Sequence, residues 1–399
     1  MKPMKKSTSL ISLVLIGVLA IALIMGNMYA LKYSPIISTY LGHTTYKVVD
    51  SGGNEDTEYF KRSYTTEADR LAADAEAGRA AAGEGFVLLK NEAKALPMAS
   101  GTEVTLFGVS SASILYGGGG SGAVDTSTVP TLKTALEAAG FKVNDAMWKF
   151  YTEGAAKDIQ MDVADIAGNG RYVIHEADPD LLTDKEKNSF SDTAIVTFAR
   201  SGSESSDVPV VYDESYLADM DVPASAWSAA YHSNGLDSPE DVGRSYLELT
   251  YTEEKLLEYV SDNFDNVIVI VNAGNPMNLN FLDEEKFGVD ACVWIGNPGQ
   301  DGLYALGDIL NGTTNPSGRT VDTYAYHPEN APAVINFGHS VMANADEERF
   351  NKYVVYQEGI YVGYRYYETR YEDVVLNQGN AGAWNYDEEV QFPFGYGLS

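Results

Sequence analysis

The chain has 399 residues, 45% of them hydrophobic, enough for a sizeable core and for two domains or one large domain with extensions. A formal net charge of −30, from 57 acidic against 27 basic residues, argues against nucleic acid and anionic membrane surfaces as partners and favours a neutral substrate over a phosphorylated one. The single cysteine, Cys292, excludes an intrachain disulfide and a thiolate zinc cluster, and the apolar run DACVWIGN around it predicts a buried structural thiol.

Lys2, Lys5 and Lys6 precede SLISLVLIGVLAIALIMGNMYAL, an uncharged stretch ending at Leu31. A helix needs about 20 apolar residues to span a bilayer, whereas a signal peptide has a shorter apolar core and a small-x-small cleavage site. MYA is a poor cleavage site, so residues 1–31 read as an uncleaved membrane anchor, with a cleaved signal peptide as the alternative. The lysines stay cytoplasmic in either case, which places the remainder outside the membrane of a bacterial cell on a single pass. Residues 32–66 lack a sustained period and read as a spacer.

From Glu67 the pattern becomes regular. EADRLAADAEAGRAAAGE predicts a helix, GFVLLKNE an apolar run, EVTLFGV (103–109) a strand, TLKTALEAAG a helix and FKVN a strand, with a further helix from Ala146. TAIVTFA (193–199) is a strong strand, followed by a long polar loop over 201–245. Thr250 and Glu253 form a capping box opening a helix, then NVIVIVNA (266–273), ACVWIG (291–296) and the helix GLYALGDILNG follow. Continuous apolar strands alternating with helices predict a mainly parallel sheet covered on both faces. The expected fold is therefore an α/β three-layer αβα sandwich over 67–334, preceded by a transmembrane helix. Residues 335–399, rich in Tyr and Gly and without a helical period, read as an extension of the sandwich toward further domains.

ILYGGGGSGAVD (114–125) contains a G-x-G-x-x-G match at Gly117, Gly119 and Gly122, with Asp145 about twenty residues on. A dinucleotide fingerprint places its last glycine at a helix start. Here AVDTSTVP intervenes before the helix, so the loop reads as the small-residue wall of a cleft for a neutral ligand, with NAD binding a minor alternative. FARSGSESSDVP (198–209) puts Glu204 and Asp207 among small residues after a strand, where catalytic groups commonly lie. A solvated loop is the bland reading of the same residues. NPGQDGLYALGDILNGTTNPSGR (297–319) reads as structural turns around a helix, with Asp301 near its N-terminus. His43, His175, His232, His327 and His339 are scattered without an i,i+4 pair, so neither a metal nor a cofactor is expected; nor is there a G-x-S-x-G elbow.

These segments together resemble the α/β sandwich domain of family 3 glycoside hydrolases. AAGEGFVLLKNEAKALPM, LYGGGGSGAV, ARSGSESSDVP, NPGQDGLYALGDILNGTTNPSGR, EGIYVGYRYYET and FPFGYGLS follow the family order over residues 55–399. The resemblance implies a β-glucosidase-like hydrolase of neutral β-glucosides or oligosaccharides, with Glu204 as general acid/base. Gly118, Gly119, Gly120, Ser121, Arg200 and Asp207 are the implied substrate-binding residues. In the family pattern S-R-x-x-G-E-G-x-D, this chain has Ser205 where a glycine stands, and Gly202 two residues before the glutamate. The nucleophilic carboxylate is implied on a barrel domain, in cis or in trans, for which 67–399 leaves no room. An anchor, a sandwich and termination at FGYGLS match the front of a family member with permuted domain order. A membrane-tethered sugar-binding module without chemistry is the alternative.

Overall fold

The computed structural model describes residues 6–34, 36, 38, 41 and 63–399 except 93, 166–167, 203, 205, 227, 338–339 and 345–351. His43, His339 and most of the expected spacer lie outside these residues. Two compact units are distinguished, 1–63 and 64–399.

In the first unit a helix, α1 (Lys6–Lys32), runs for 27 residues, about 40 Å at 1.5 Å per residue. Its stretch Leu13–Lys32 has a mean hydropathy of 2.3 and no buried residue, so by length and composition it can cross a membrane.

The second unit is built on one six-stranded sheet. Its strands are β1 (Val87–Asn91), β2 (Glu103–Phe107), β3 (Lys142–Val143), β4 (Thr193–Arg200), β5 (Asn266–Ala273) and β6 (Ala291–Trp294). Their spatial order is β1-β6-β5-β4-β2-β3. All neighbours pair in parallel except β1, which closes the edge antiparallel to β6. β4 and β5 pair along their whole length, from Thr193↔Asn266 to Arg200↔Ala273. Counted from β2, the parallel strands follow the doubly wound order 2-1-3-4-5, whose direction of winding reverses between β2 and β4.

The main helices between and around these strands are α2 (Glu67–Gly85), α3 (Leu132–Ala138), α4 (Asp145–Thr152), α5 (Tyr251–Asn263) and α6 (Leu303–Leu310). Period-two alternation divides each central strand between two cores. Val196, Phe198, Val269 and Val271 face Met147 and Phe150 of α4 and Leu256, Leu257 and Val260 of α5. Ile195, Ile268 and Ile270 face Leu132 and Leu136 of α3 and Leu303, Leu306 and Ile309 of α6. That is the expected αβα layering, and Cys292 is fully buried within it. Helix α3 approaches α6 so closely that a Cβ on Gly307 would lie 2.7 Å from Ala139 Cβ and 2.9 Å from Ala135 O. The α5 capping box forms as its sequence requires: Glu253 N donates to Thr250 Oγ1 (3.2 Å) and Thr250 N to Glu253 Oε2 (2.8 Å).

Two stretches depart from expectation. The long polar loop contains an antiparallel pair, Met220–Val222 with Tyr231–Ser233. It also contributes Tyr212 and Leu236 to a third apolar cluster, completed by Tyr172, Val173, Ile174 and Tyr246 from the flanking segments. Isolated tyrosines among polar residues gave no periodic signal there. The C-terminal stretch holds a helix, α7 (Tyr364–Val375), which the sequence YRYYETRYEDVV hides because only Tyr367 is buried. Beyond it, Val390–Phe392 pairs with Tyr324–Ala325, and Leu398 N donates to Leu88 O at 2.9 Å, so the last residues return to β1.

Candidate active site

In an open α/β sheet, ligands bind beyond the carboxyl ends of the strands where the winding reverses. Here that position lies beyond β2 and β4, whose following loops carry the glycine run and Glu204. The two loops touch there: Ser121 Oγ donates to Glu204 Oε2 at 3.2 Å.

The loop after β2 is held at both ends. Gly108 has φ +92 and its N–H donates to Tyr151 Oη (3.0 Å); a Cβ there would stand 2.7 Å from Thr197 O, so only glycine fits. Val109 N then donates to both oxygens of the buried Glu176, at 3.1 and 3.0 Å. Asn272, buried at the end of β5, accepts from Leu115 N (2.7 Å) and donates to Leu115 O (3.1 Å) and Gly296 O (2.6 Å). One side chain thereby ties together the segments beyond β2, β5 and β6. Tyr116 Oη closes the loop's far side on Pro130 O at 2.6 Å. A Cβ on Gly117 would meet Gly122 O at 2.6 Å, and Gly120–Gly122 forms a single 3-10 turn. Gly118, Gly119, Gly120 and Ser121 are exposed along this turn. Helix α3 has its own cap, Thr131, which accepts from Thr134 N at 3.1 Å, so the glycines do not stand at a helix start. The geometry of a dinucleotide fingerprint is absent.

Glu204 is exposed, and Ser121 is its hydrogen-bond partner among the described residues. Its neighbours Ser203 and Ser205 lie outside those residues. Asp207, three positions on, is exposed. Gly202 lies against Asn275, whose Nδ2 is buried without a partner in the described structure.

Arg200, implied as a substrate ligand, is only 1% exposed and lies beneath the loop. Nε donates to Tyr246 O (2.6 Å), and Nη1 donates to Ala199 O (2.8 Å) and Glu253 Oε1 (2.9 Å). Nη2 donates to Glu248 O and to Glu253 Oε2 (2.7 Å). Its five N–H donors are therefore all engaged within the protein. In this arrangement Arg200 fixes the base of the loop and does not face a substrate. The Tyr246 hydroxyl adds a second clamp, accepting from Ser201 N (2.8 Å) and donating to Ser201 O (2.9 Å). Sequence reasoning found Glu253 as a cap but missed that the same carboxylate neutralises Arg200.

Glu176 was also missed, since the irregular stretch around it offers no pattern. Burial pushes its carboxyl up to about 8 despite the hydrogen bonds from Val109 N and Ala177 N. Beside it, burial opposes the charge of His175, but the carboxylates of Asp162, 3.5 Å from Nε2, and of Asp237, hydrogen-bonded to Nδ1, outweigh it and raise the imidazole to about 9. The His175 Nδ1–Asp237 distance is 2.7 Å. Glu176 stays protonated in the fold up to about 8 while the unfolded carboxyl ionises near 4.5, so stability falls across that window. The His175 contribution is full below 6.5 and is lost as pH rises through about 9. The melting temperature is therefore expected to fall between pH 5 and 9, and Glu176→Gln should flatten the lower part of that slope. A melting temperature that climbs with pH over this range would contradict the assignment.

An apolar cavity of about 320 Å³ opens beside the same loop, lined by Val208, Pro209, Val210, Leu247, Val334 and Phe337 among others. No group of three His, Cys, Asp or Glu suited to a metal occurs among the described residues.

A doubly wound sandwich with a glycine-rich loop and a carboxylate meeting at its switch point defines the class: an open α/β domain. The chain belongs to glycosyl hydrolase family 3, whose C-terminal domain matches residues 86–364. It is 33% identical over 325 residues to Beta-glucosidase A of Butyrivibrio fibrisolvens, covering 80% of this chain and 34% of that protein. Over 317 residues it is 29% identical to a Beta-glucosidase of Ruminococcus albus, covering 79% of this chain and 27% of that one. Among solved structures, a β-glucosidase from Paenibacillus barengoltzii aligns with a TM-score of 0.55 and 28% identity, over 81% of this chain and 29% of that one. The chain thus spans about a third or less of the length of these relatives.

Proposed function

We propose that this chain supplies the acid/base half of a β-glucosidase-like active site, with Glu204 as the general acid/base. The observation that carries the reading is the Ser121–Glu204 hydrogen bond across the switch point, 3.2 Å long. It joins the two loops best placed for a ligand and aims a hydroxyl at the carboxylate. Retaining glycoside hydrolysis needs a second, nucleophilic carboxylate about 5–5.5 Å from the first. That group is expected on a barrel domain, in cis or in trans, in a family member of permuted domain order. Docking of such a domain would exclude water from Glu204, the condition under which a carboxyl serves as an acid. Gly118, Gly119, Gly120 and Asp207 would border the sugar, while Arg200 acts from beneath.

The leaving group departs on the side of the acid, and Val208 is four residues from Glu204, within about 14 Å for the most extended chain. The apolar cavity that starts at Val208 would suit an aryl or alkyl aglycone. Helix α1 would hold the domain on the outer face of a bacterial cell membrane, with the N-terminal lysines inside.

The chain by itself is expected not to turn over an aryl β-glucoside. Robust turnover that Glu204→Gln abolishes would contradict the two-domain site. Turnover neither alone nor with a barrel would favour a non-catalytic sugar-binding module instead.

A further inference from the structure

The C-terminal stretch carries a second cavity, of about 800 Å³, which borders the same short helix as the apolar cavity but through other residues, Pro332, Ile335 and Asn336 in place of Ala333, Val334 and Phe337. Its walls are the short helix Pro332–Ile335 with Asn336, the turn at 357–361 and helix α7. The volume lies within the usual range for small-ligand sites. The frame is internally fastened. Asn336 Nδ2 donates to Glu358 Oε2 at 3.3 Å, joining two walls. Arg370 donates to Tyr366 Oη (3.1 Å) and Ala381 O (2.7 Å), with its guanidinium 5.5 Å from the Tyr366 ring and 5.3 Å from the Trp384 ring.

Asn380 Nδ2 also donates to Asp373 Oδ1, at 3.5 Å, while other polar groups of the lining are uncommitted. The side chains of Gln357, Thr369 and Gln378 and the Tyr361 hydroxyl make no hydrogen bond within the described structure. Tyr361 is 46% exposed, so one ring is open to the groove. Glu358, Glu372 and Asp373 also line it, against Arg370 as the cation, so an anionic ligand would meet net repulsion. An open aromatic ring, two planar amides and two hydroxyls match a ligand whose hydroxyls both donate and accept and whose ring has an apolar face.

We propose that this groove binds a neutral oligosaccharide, as a site separate from that of Glu204. The ligand class follows from the lining and does not rest on the catalytic reading. Calorimetric titration of the full chain with cellotetraose tests it, with glucose 6-phosphate as the anionic comparison. Saturable cellotetraose binding is expected, weakened at least tenfold by Tyr361→Ala, unchanged by Glu204→Gln and absent with the phosphorylated sugar. Thr369→Trp, which fills the groove from α7, should abolish it and serves as the deciding variant if Tyr361→Ala fails to fold. No saturable binding by the unaltered chain overturns the proposal. So does binding that survives both groove variants, or that only Glu204→Gln removes, which would assign the sugar to the other site.

Discussion

Replacing Arg200 by methionine is expected to lower the unfolding free energy by about 3–5 kcal/mol, read from urea denaturation of residues 63–399. Removing one partner of a buried ion pair leaves the other charge uncompensated, and costs of that size are typical. Here the partner, Glu253, is 2% exposed, and three backbone carbonyls, of Ala199, Tyr246 and Glu248, would lose their donor as well. Small domains hold only about 5–15 kcal/mol in total, so the loss would be severe. Replacing both charges, Arg200→Met with Glu253→Leu, should recover part of it, since an apolar pair of similar volume is often tolerated. The recovery would be incomplete, because Glu253 also closes the capping box on Thr250, worth about 1 kcal/mol. Had Arg200 been a solvent-facing sugar ligand, its loss would change stability by no more than about 0.5 kcal/mol. The stability measurement therefore separates a positioning role from a binding one.

The second large effect concerns chemistry. Once the sandwich is joined to a barrel, Glu204→Gln should reduce kcat/KM on a substrate with a poor leaving group by about 10²–10⁴-fold, the usual worth of a positioned acid/base. Stability should barely move, because the side chain is exposed and bonded to Ser121 alone among the described residues. The pattern is the reverse of that at Arg200, four residues earlier on the same strand-loop junction.

The layered architecture was legible because its signals are local and periodic. Continuous apolar runs at 193–199 and 266–273 marked buried parallel strands, and the Thr250–Glu253 spacing marked the start of α5. Glu204 could be singled out from its place after a strand and from the surrounding family-like motif. What the sequence did not reveal depends on long-range pairing. Asn272 meets Leu115 across 157 positions and Arg200 meets Glu253 across 53, and no local period encodes either contact. Arg200 shows the hazard most clearly: an arginine beside a candidate acid reads as a ligand until its burial is known. Glu176 and His175 were invisible for the same reason, lying in a stretch held by tertiary contacts and not by repeats. The tyrosine-rich α7 was missed because its polar residues dominate its pattern and a single ring is buried.

The central claim is that Glu204 protonates the leaving group while another domain supplies the nucleophile. Its most direct test replaces the matching segment of Beta-glucosidase A from Butyrivibrio fibrisolvens with residues 63–399 of this chain. Cellobiose and 2,4-dinitrophenyl β-glucoside turnover are then compared with and without Glu204→Gln. Dinitrophenolate leaves without protonation, so formation of the glycosyl-enzyme from that substrate should be nearly unaffected, whereas cellobiose hydrolysis should fall by about 10²–10⁴-fold. Equal losses on both substrates in that step, or no loss on cellobiose, would contradict the assignment.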